Sequence, residues 1–171
     1  AVYGLQTAFL TDWYATDHSL ITSSVYFPRM DDKGHVLIQI ATSDPVGEWR
    51  DIMQGLLLAI TSAKNYIYIQ TPYLLPTEVI LVALKTSALS GVDVRIMIPE
   101  HSDSRMVHWG TCSYLEELME AGVRIYMYQK GFLHSKLMVS DDSLASVGST
   151  NIDFRSFEHN FEANAFLYDS A

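Results

Sequence analysis

Apolar residues along this chain recur with two different periods. Trp49, Ile52, Met53, Leu56, Leu57 and Ile60 return every three or four positions through about Lys64, which predicts an amphipathic helix docked by one face on a sheet. Before it, His35 to Thr42 reads as a strand, closed by the turn cluster Ser43, Asp44, Pro45 and Gly47. Tyr66 to Gln70 is a short β-rich run ended by Pro72 and Pro76. Thr77 is placed to N-cap a helix running to Ser90, with Gly91 as its stop. Val92 to Ile98 then reads as a central strand. Ser102 or Asp103 is expected to cap a third helix carrying Val107, Tyr114, Leu115, Leu118 and Met119, ended by Gly122 before a strand over Val123 to Tyr128. This βαβαβαβ rhythm predicts an α/β fold with a largely parallel or mixed sheet. The last forty residues change character, because Lys136 to Ser140, Leu144 to Val147 and Ala163 to Tyr168 are strand-like with only short connections between them.

The opening residues do not share this rhythm. Ala1 to Tyr14 reads as a helix with Leu5, Ala8, Phe9 and Trp13 on one face, and Ala15 to Gly34, rich in Ser, Thr and Asp with one Pro, reads as a linker or surface excursion. Two units follow: an N-terminal arm over 1–33 and one domain over 34–171. The apolar stretches Gly55 to Ile60 and Val79 to Leu84 fall far short of the roughly 20 residues that span a bilayer. The chain starts on Ala1, and Ala1 to Leu10 has neither the charged start nor the continuous apolar run of a signal peptide, so it reads as cut from something longer.

Composition narrows the function. A length of 171 residues with 49% hydrophobic and 18% charged residues suits a single sizeable core. Eleven Lys and Arg against twenty Asp and Glu leave a net charge of −9 without a basic cluster, which disfavours a nucleic-acid partner. Cys112, the only cysteine, sits in a helical pattern and is expected to be a buried free thiol in a reducing compartment.

Candidate chemistry concentrates between Gly131 and Glu162. His134 and Lys136 are two apart, so on a strand both point to one face, setting an imidazole beside a cation. The turn at Asp141 and Asp142 returns the chain, and Leu144 to Val147 delivers Gly148, Ser149 and Asn151 to a strand end, where a small residue lets donors approach an anion. An imidazole to attack or protonate, an ammonium to hold charge, and donors at Ser149 and Asn151 together imply phosphoryl transfer.

His134, Lys136, Asp141, Gly148, Ser149 and Asn151 reproduce the HxK, four residues, D, six residues, GSxN pattern of the phospholipase D superfamily. Six identities at fixed spacing arise by chance with a probability on the order of 10⁻⁶ over the windows of such a chain. The stretches Gln70 to Pro76, Gly91 to Pro99 and Asn151 to Glu162 resemble the second catalytic half of bacterial cardiolipin synthases, and the Asp12, Trp13 opening resembles the tail of their first half. The resemblance implies a mixed β-sheet flanked by helices on both faces, an α/β/α sandwich. It implies two paired motifs, of which this chain holds one. One histidine of the pair would form a phosphohistidine with a phosphatidyl group while the other protonates the leaving alcohol and deprotonates the incoming one. Lys136, Ser149 and Asn151 would neutralise the phosphate, Gly148 would sit against it, Asp141 would serve structure, and Glu162 would orient the facing histidine. Phosphatidylglycerol is the implied substrate, the missing first half or a second copy the implied partner, and the bacterial membrane the implied site of the full-length parent. Neither a metal nor a cofactor is implied. A single-motif phosphodiesterase or nuclease completed by homodimerisation, and an inactive isolated module, remain as alternatives, with the charge of −9 weighing against the nuclease.

Other residues have plainer expectations. Tyr66, Tyr68, Tyr126 and Tyr128 alternate on strands and are expected in core and sheet packing, whereas Tyr73 and Leu74 are candidates for a lipid-facing rim. Arg155 is the alternative partner for Glu162. His101 and His108, near Glu100 and Asp103, lack the tight spacing of a metal motif.

Overall fold

The computed structural model describes residues 1–31 and 34–169, so the Lys33 side of the expected boundary and the chain's last two residues lie outside the described residues. The chain runs α1 (Val2–Asp17), a 3-10 turn at Ser24–Tyr26, β1 (Leu37–Ser43), α2 (Asp51–Ser62), β2 (Tyr66–Gln70), β3 (Leu74–Leu75), α3 (Glu78–Leu89), β4 (Asp93–Pro99), α4 (Arg105–Glu120), β5 (Arg124–Tyr128), β6 (Leu137–Ser140), β7 (Leu144–Gly148), β8 (Ile152–Asp153), α5 (Phe154–Glu158) and β9 (Glu162–Tyr168). Seven strands form one mixed sheet in the order β1-β9-β7-β6-β2-β4-β5. The β2, β4 and β5 strands are parallel, as helical crossovers require, and the remaining four join through antiparallel pairs.

Alternation along the strands decides which face is covered. Ile67 and Ile69 of β2, Val94, Ile96 and Ile98 of β4, Met138 of β6 and Phe166 of β9 are buried, and with Ile52, Leu56, Ile60, Ile80, Leu84 and Leu118 they form one core beneath α2, α3 and α4. Each such side chain contributes on the order of 1.5–3 kcal/mol by leaving water. On the opposite face α1 lies over β1, with Gly4 against Ile40. Helices therefore flank the sheet on both faces.

Several expectations shift in position. The cap of α4 is Ser104, whose Oγ accepts from the Val107 N–H at 3.5 Å. Ser102 Oγ is taken by the Ser104 N–H, and the Asp103 carboxylate by Tyr73. Cys112 is exposed, not buried, because α4 turns Thr111, Leu115 and Leu118 inward and Cys112 falls about 100° away from Thr111. Trp49 precedes α2 and is exposed. The tyrosines belong to the sheet but not to its core: the tilted rings of Tyr66 and Tyr68 lie 4.6 Å apart on the open face, with the Arg95 guanidinium over Tyr68. Leu74, expected at a lipid-facing rim, is fully buried in β3.

Two contacts hold the β6–β7 hairpin that carries the sequence motif. Asp141, in the left-handed region with φ 51°, accepts hydrogen bonds from the backbone N–H groups of Lys64, Asn65 and Tyr66 at 2.6, 2.9 and 2.8 Å, tying the hairpin turn to the start of β2. Burial pushes its carboxyl up, but the three backbone donors outweigh this and hold it below the ordinary 3.8. At the other end of the hairpin, Gly148 pairs with Asn164 of β9 so closely that a Cβ would collide with the Ala163 carbonyl oxygen and the Asn164 side chain.

Replacing Gly148 by Ala drives a methyl into backbone that cannot yield, and a loss of about 1–3 kcal/mol in denaturant unfolding is expected. Asp141→Asn is expected to cost about 1 kcal/mol at neutral pH. Because the folded carboxyl is depressed, this wild-type advantage is full above 3.8 and disappears as pH falls through the lower folded value, which urea titrations of both proteins from pH 7 to pH 2.5 would read.

Candidate active site

Strand polarity gathers one edge of the sheet into a site. The carboxyl ends of β1, β2, β4 and β7 meet the amino ends of β6 and β9 there: Ser43 pairs with Glu162, Gln70 with Leu137, and Gly148 with Asn164. At the reversal between the parallel β4–β2 pair and antiparallel β6, loops diverge and leave a crevice outside the strand ends.

His134, Ser135 and Lys136 occupy the segment just before β6, which begins at Leu137 and not at Lys136. The Lys136 ammonium folds back to donate to the His134 carbonyl at 3.0 Å, and Ser135 Oγ donates to Gln70 Oε1 at 2.8 Å, which fixes the segment to the end of β2. The His134 ring is exposed and stacks on Phe132 at 5.5 Å, and Phe132 in turn lies 6.4 Å from Tyr73. Burial pushes the Lys136 amine below its ordinary value, while the charges of Glu162, Asp153 and Asp103 pull it back up.

Across the hairpin, the Gly148 N–H donates to the Lys136 carbonyl at 3.3 Å, which brings Ser149 alongside. Ser149 Oγ donates to Glu162 Oε2 and accepts from the Ala163 N–H at 3.0 Å. Glu162 is 9% exposed, and its other carboxylate oxygen accepts from Asn160 Nδ2 at 3.0 Å. Its partners are therefore Ser149 and Asn160 and not Arg155, which is exposed. Asn151 Nδ2 donates to Ser156 Oγ at 3.2 Å, and Asn151 Oδ1 is buried without a partner among the described residues. Asp141 stands at the far end of the hairpin, occupied by the β2 backbone. The edge thus unites His134, Lys136, Gly148, Ser149 and Glu162, sets Asn151 beside them, and excludes Asp141.

Two clefts open from this edge. One of about 530 Å³ runs between α1 and the sheet, past Thr11, Asp12, Ser43, Ser149 and Glu162. The other, of about 570 Å³, is walled by Tyr73, Asp103, Asn151, Asp153, Arg155 and Asn160. Asn160 belongs to no spacing pattern, and Asp103, expected as a helix cap or beside His101 and His108, faces this cleft instead. Asn160 stands two residues before Glu162, and that separation was the available signal for it. Among the described residues no three His, Cys, Asp or Glu side chains converge as a metal site, and no helix is long and apolar enough to cross a membrane.

Residues 56–171 match the family described as cardiolipin synthase, PLD-like domain. The chain is 47% identical over 171 residues, 99% of its length, to the cardiolipin synthase of Listeria monocytogenes serotype 4a, and equally to the major cardiolipin synthase of Bacillus subtilis. In both cases it spans 36% of the relative, about a third of the length of these curated proteins. Among solved structures it resembles the phospholipase D family member Nuc from Salmonella typhimurium, with a TM-score of 0.65 and 24% identity over 79% of this chain and 84% of that one. It also resembles the phosphatidylserine synthase of Haemophilus influenzae, with a TM-score of 0.61 and 16% identity over 78% of this chain and 35% of that one. At such identities these structures bear on the fold alone. The sequence matches, together with the placement of the motif at the sheet edge, establish that the chain belongs to the phospholipase D-like family of cardiolipin synthases.

Proposed function

We propose that this chain supplies one of two half-sites of a phosphatidyltransferase that joins two phosphatidylglycerols into cardiolipin and releases glycerol. The observation that carries the reading is the meeting of His134, Lys136, Ser149 and Glu162 at one sheet edge, in a chain so similar to cardiolipin synthases. The imidazole of one histidine attacks phosphorus as the bond to the glycerol oxygen breaks, and that oxygen takes a proton from the facing histidine. A hydroxyl of the second phosphatidylglycerol then attacks, returning its proton to the facing histidine as the phosphorus–nitrogen bond breaks. His134 is one of these two, and the other comes from the first half or from a second copy.

Lys136 supplies the positive charge that meets the phosphoryl oxygens, with Ser149 and Asn151 as neighbouring donors and Gly148 leaving room beside them. Glu162, held by Ser149 and Asn160, orients the facing imidazole. Asp141 acts through the fold by anchoring the hairpin. The reaction belongs at a bacterial membrane surface, where its lipid substrates lie, and neither metal nor cofactor takes part in it.

With phosphatidylglycerol vesicles and the polypeptide carrying this chain, mass spectrometry is expected to detect cardiolipin, and His134→Ala to lower it by about 10³-fold or more. Persistent synthesis in that variant overturns the assignment, and turnover by these 171 residues alone assigns the second half-site to another copy. Since Lys136 is depressed by burial, activity is expected to fall on the alkaline side below 10.5 as its ammonium is lost, and this limb to vanish in Lys136→Arg, whose guanidinium stays charged.

A further inference from the structure

The cleft of about 570 Å³ beside α4 is built differently from the phosphate edge it adjoins. Two of its walls are shared with that edge: Asn151 belongs to the sequence motif, and Asn160 donates to Glu162 at 3.0 Å. Its outer wall is a carboxylate in a fixed orientation. Tyr73 Oη donates to both oxygens of Asp103, at 3.0 and 2.8 Å, and Tyr73 packs through Phe132 toward the His134 ring. Desolvation and the Asp103 charge push the Tyr73 hydroxyl up to about 12, so it remains a donor throughout the working range. Asp103 is exposed on its remaining side; its Oδ1 also accepts from Ser102 Oγ at 3.4 Å, and its Oδ2 has Tyr73 as its one donor among the described residues.

Charge decides what such a wall accepts. Asp103, Asp153 and Glu162 all act on Lys136, and Arg155 is the cation in the cleft lining. A free anion entering here meets carboxylates first, whereas a neutral polyol brings hydroxyl donors to the carboxylate lone pairs that Tyr73 and Ser102 leave open. Leu75, Val107 and Phe154 add apolar surface suited to a carbon backbone.

We infer that this cleft is a polyol subsite, in which the fixed Asp103 carboxylate accepts hydrogen bonds from the adjacent hydroxyls of a glycerol headgroup and Tyr73 is the positioning residue that holds it. The inference rests on the phosphatidyltransferase reading and adds to it the residues that select a polyhydric over a monohydric alcohol. A site built to pair a hydroxyl discriminates strongly against the analogue that lacks it, because its own acceptor is then left unpaired.

The test is a competition. The polypeptide carrying this chain is given phosphatidylglycerol vesicles with equal concentrations of deuterated glycerol and 1-propanol, and mass spectrometry reads labelled phosphatidylglycerol against phosphatidylpropanol. Wild type is expected to favour glycerol, and Asp103→Asn to lower the ratio about tenfold. Tyr73→Phe is expected to raise the KM for glycerol several-fold with little change in kcat, since it loosens Asp103 without removing it. A ratio unchanged in both variants overturns the subsite, as does loss of all transfer in Asp103→Asn, which would make Asp103 part of the general machinery. Absence of both products in wild type overturns the phosphatidyltransferase reading itself.

Discussion

The close approach of β7 to β9 at Gly148 is the constraint on which the site depends. No side chain fits between Gly148 and the Ala163 carbonyl, so the two strands stay in register to their shared end. That register sets Ser149 over Glu162 and turns the Gly148 N–H toward the Lys136 carbonyl. Three successive segments of the chain are thus coupled by backbone contact, which is stiffer than a salt bridge between long side chains. A positional error of about 1 Å in such a site costs rate on the order of 10²-fold, so a rigid frame has direct functional value.

The hairpin is anchored at both ends by different means. Steric closeness fixes the end at Gly148, and a charge fixes the end at Asp141, where one carboxylate gathers three consecutive backbone donors before β2. The two anchors clamp the hairpin between β2 and β9 at the centre of the sheet, with the exposed His134 ring on the segment leading into it. A rigid base with an accessible imidazole is what the proposed transfer asks of His134, which would meet phosphorus on one side and a second half-site on the other.

Much of this was legible in the sequence because periodicity reports burial. The 3.6-residue pattern of Ile52, Leu56 and Ile60 and the alternation of Ile67 with Ile69 describe faces that are in fact buried, and the segments spaced from His134 to Asn151, Asp141 excepted, meet at one end of the sheet. What escaped depends on the opposite face. Alternation cannot say whether a second layer covers a strand's other side, so Tyr66, Tyr68 and Tyr126 read as core when they lie on the open face. Short elements escaped for a related reason: β3 and β8 have two residues each and are strands by pairing with one another, Leu74 opposite Ile152 and Leu75 opposite Asp153, with Thr71 Oγ1 accepting from the Ile152 N–H at 3.2 Å beside them. Leu74, apolar and flanked by prolines, reads as a rim until that pairing is known.

Asp141 shows where a spacing pattern and a mechanism part company. It shares a fixed interval with His134 and Lys136, yet its carboxylate is spent on the backbone of residues 64–66. Fixed spacing follows whenever a residue must reach a set point on the fold, whether or not that point is the reacting atom. Asp103 and Tyr73 are the converse case. They obey no interval, because Tyr73 leaves the end of β2 and Asp103 precedes α4, and only the parallel pairing of β2 with β4 brings them together. Residues that select among alcohols need only face the same cleft, and parallel strands with helical crossovers supply such pairs at separations, thirty residues here, that no local motif records.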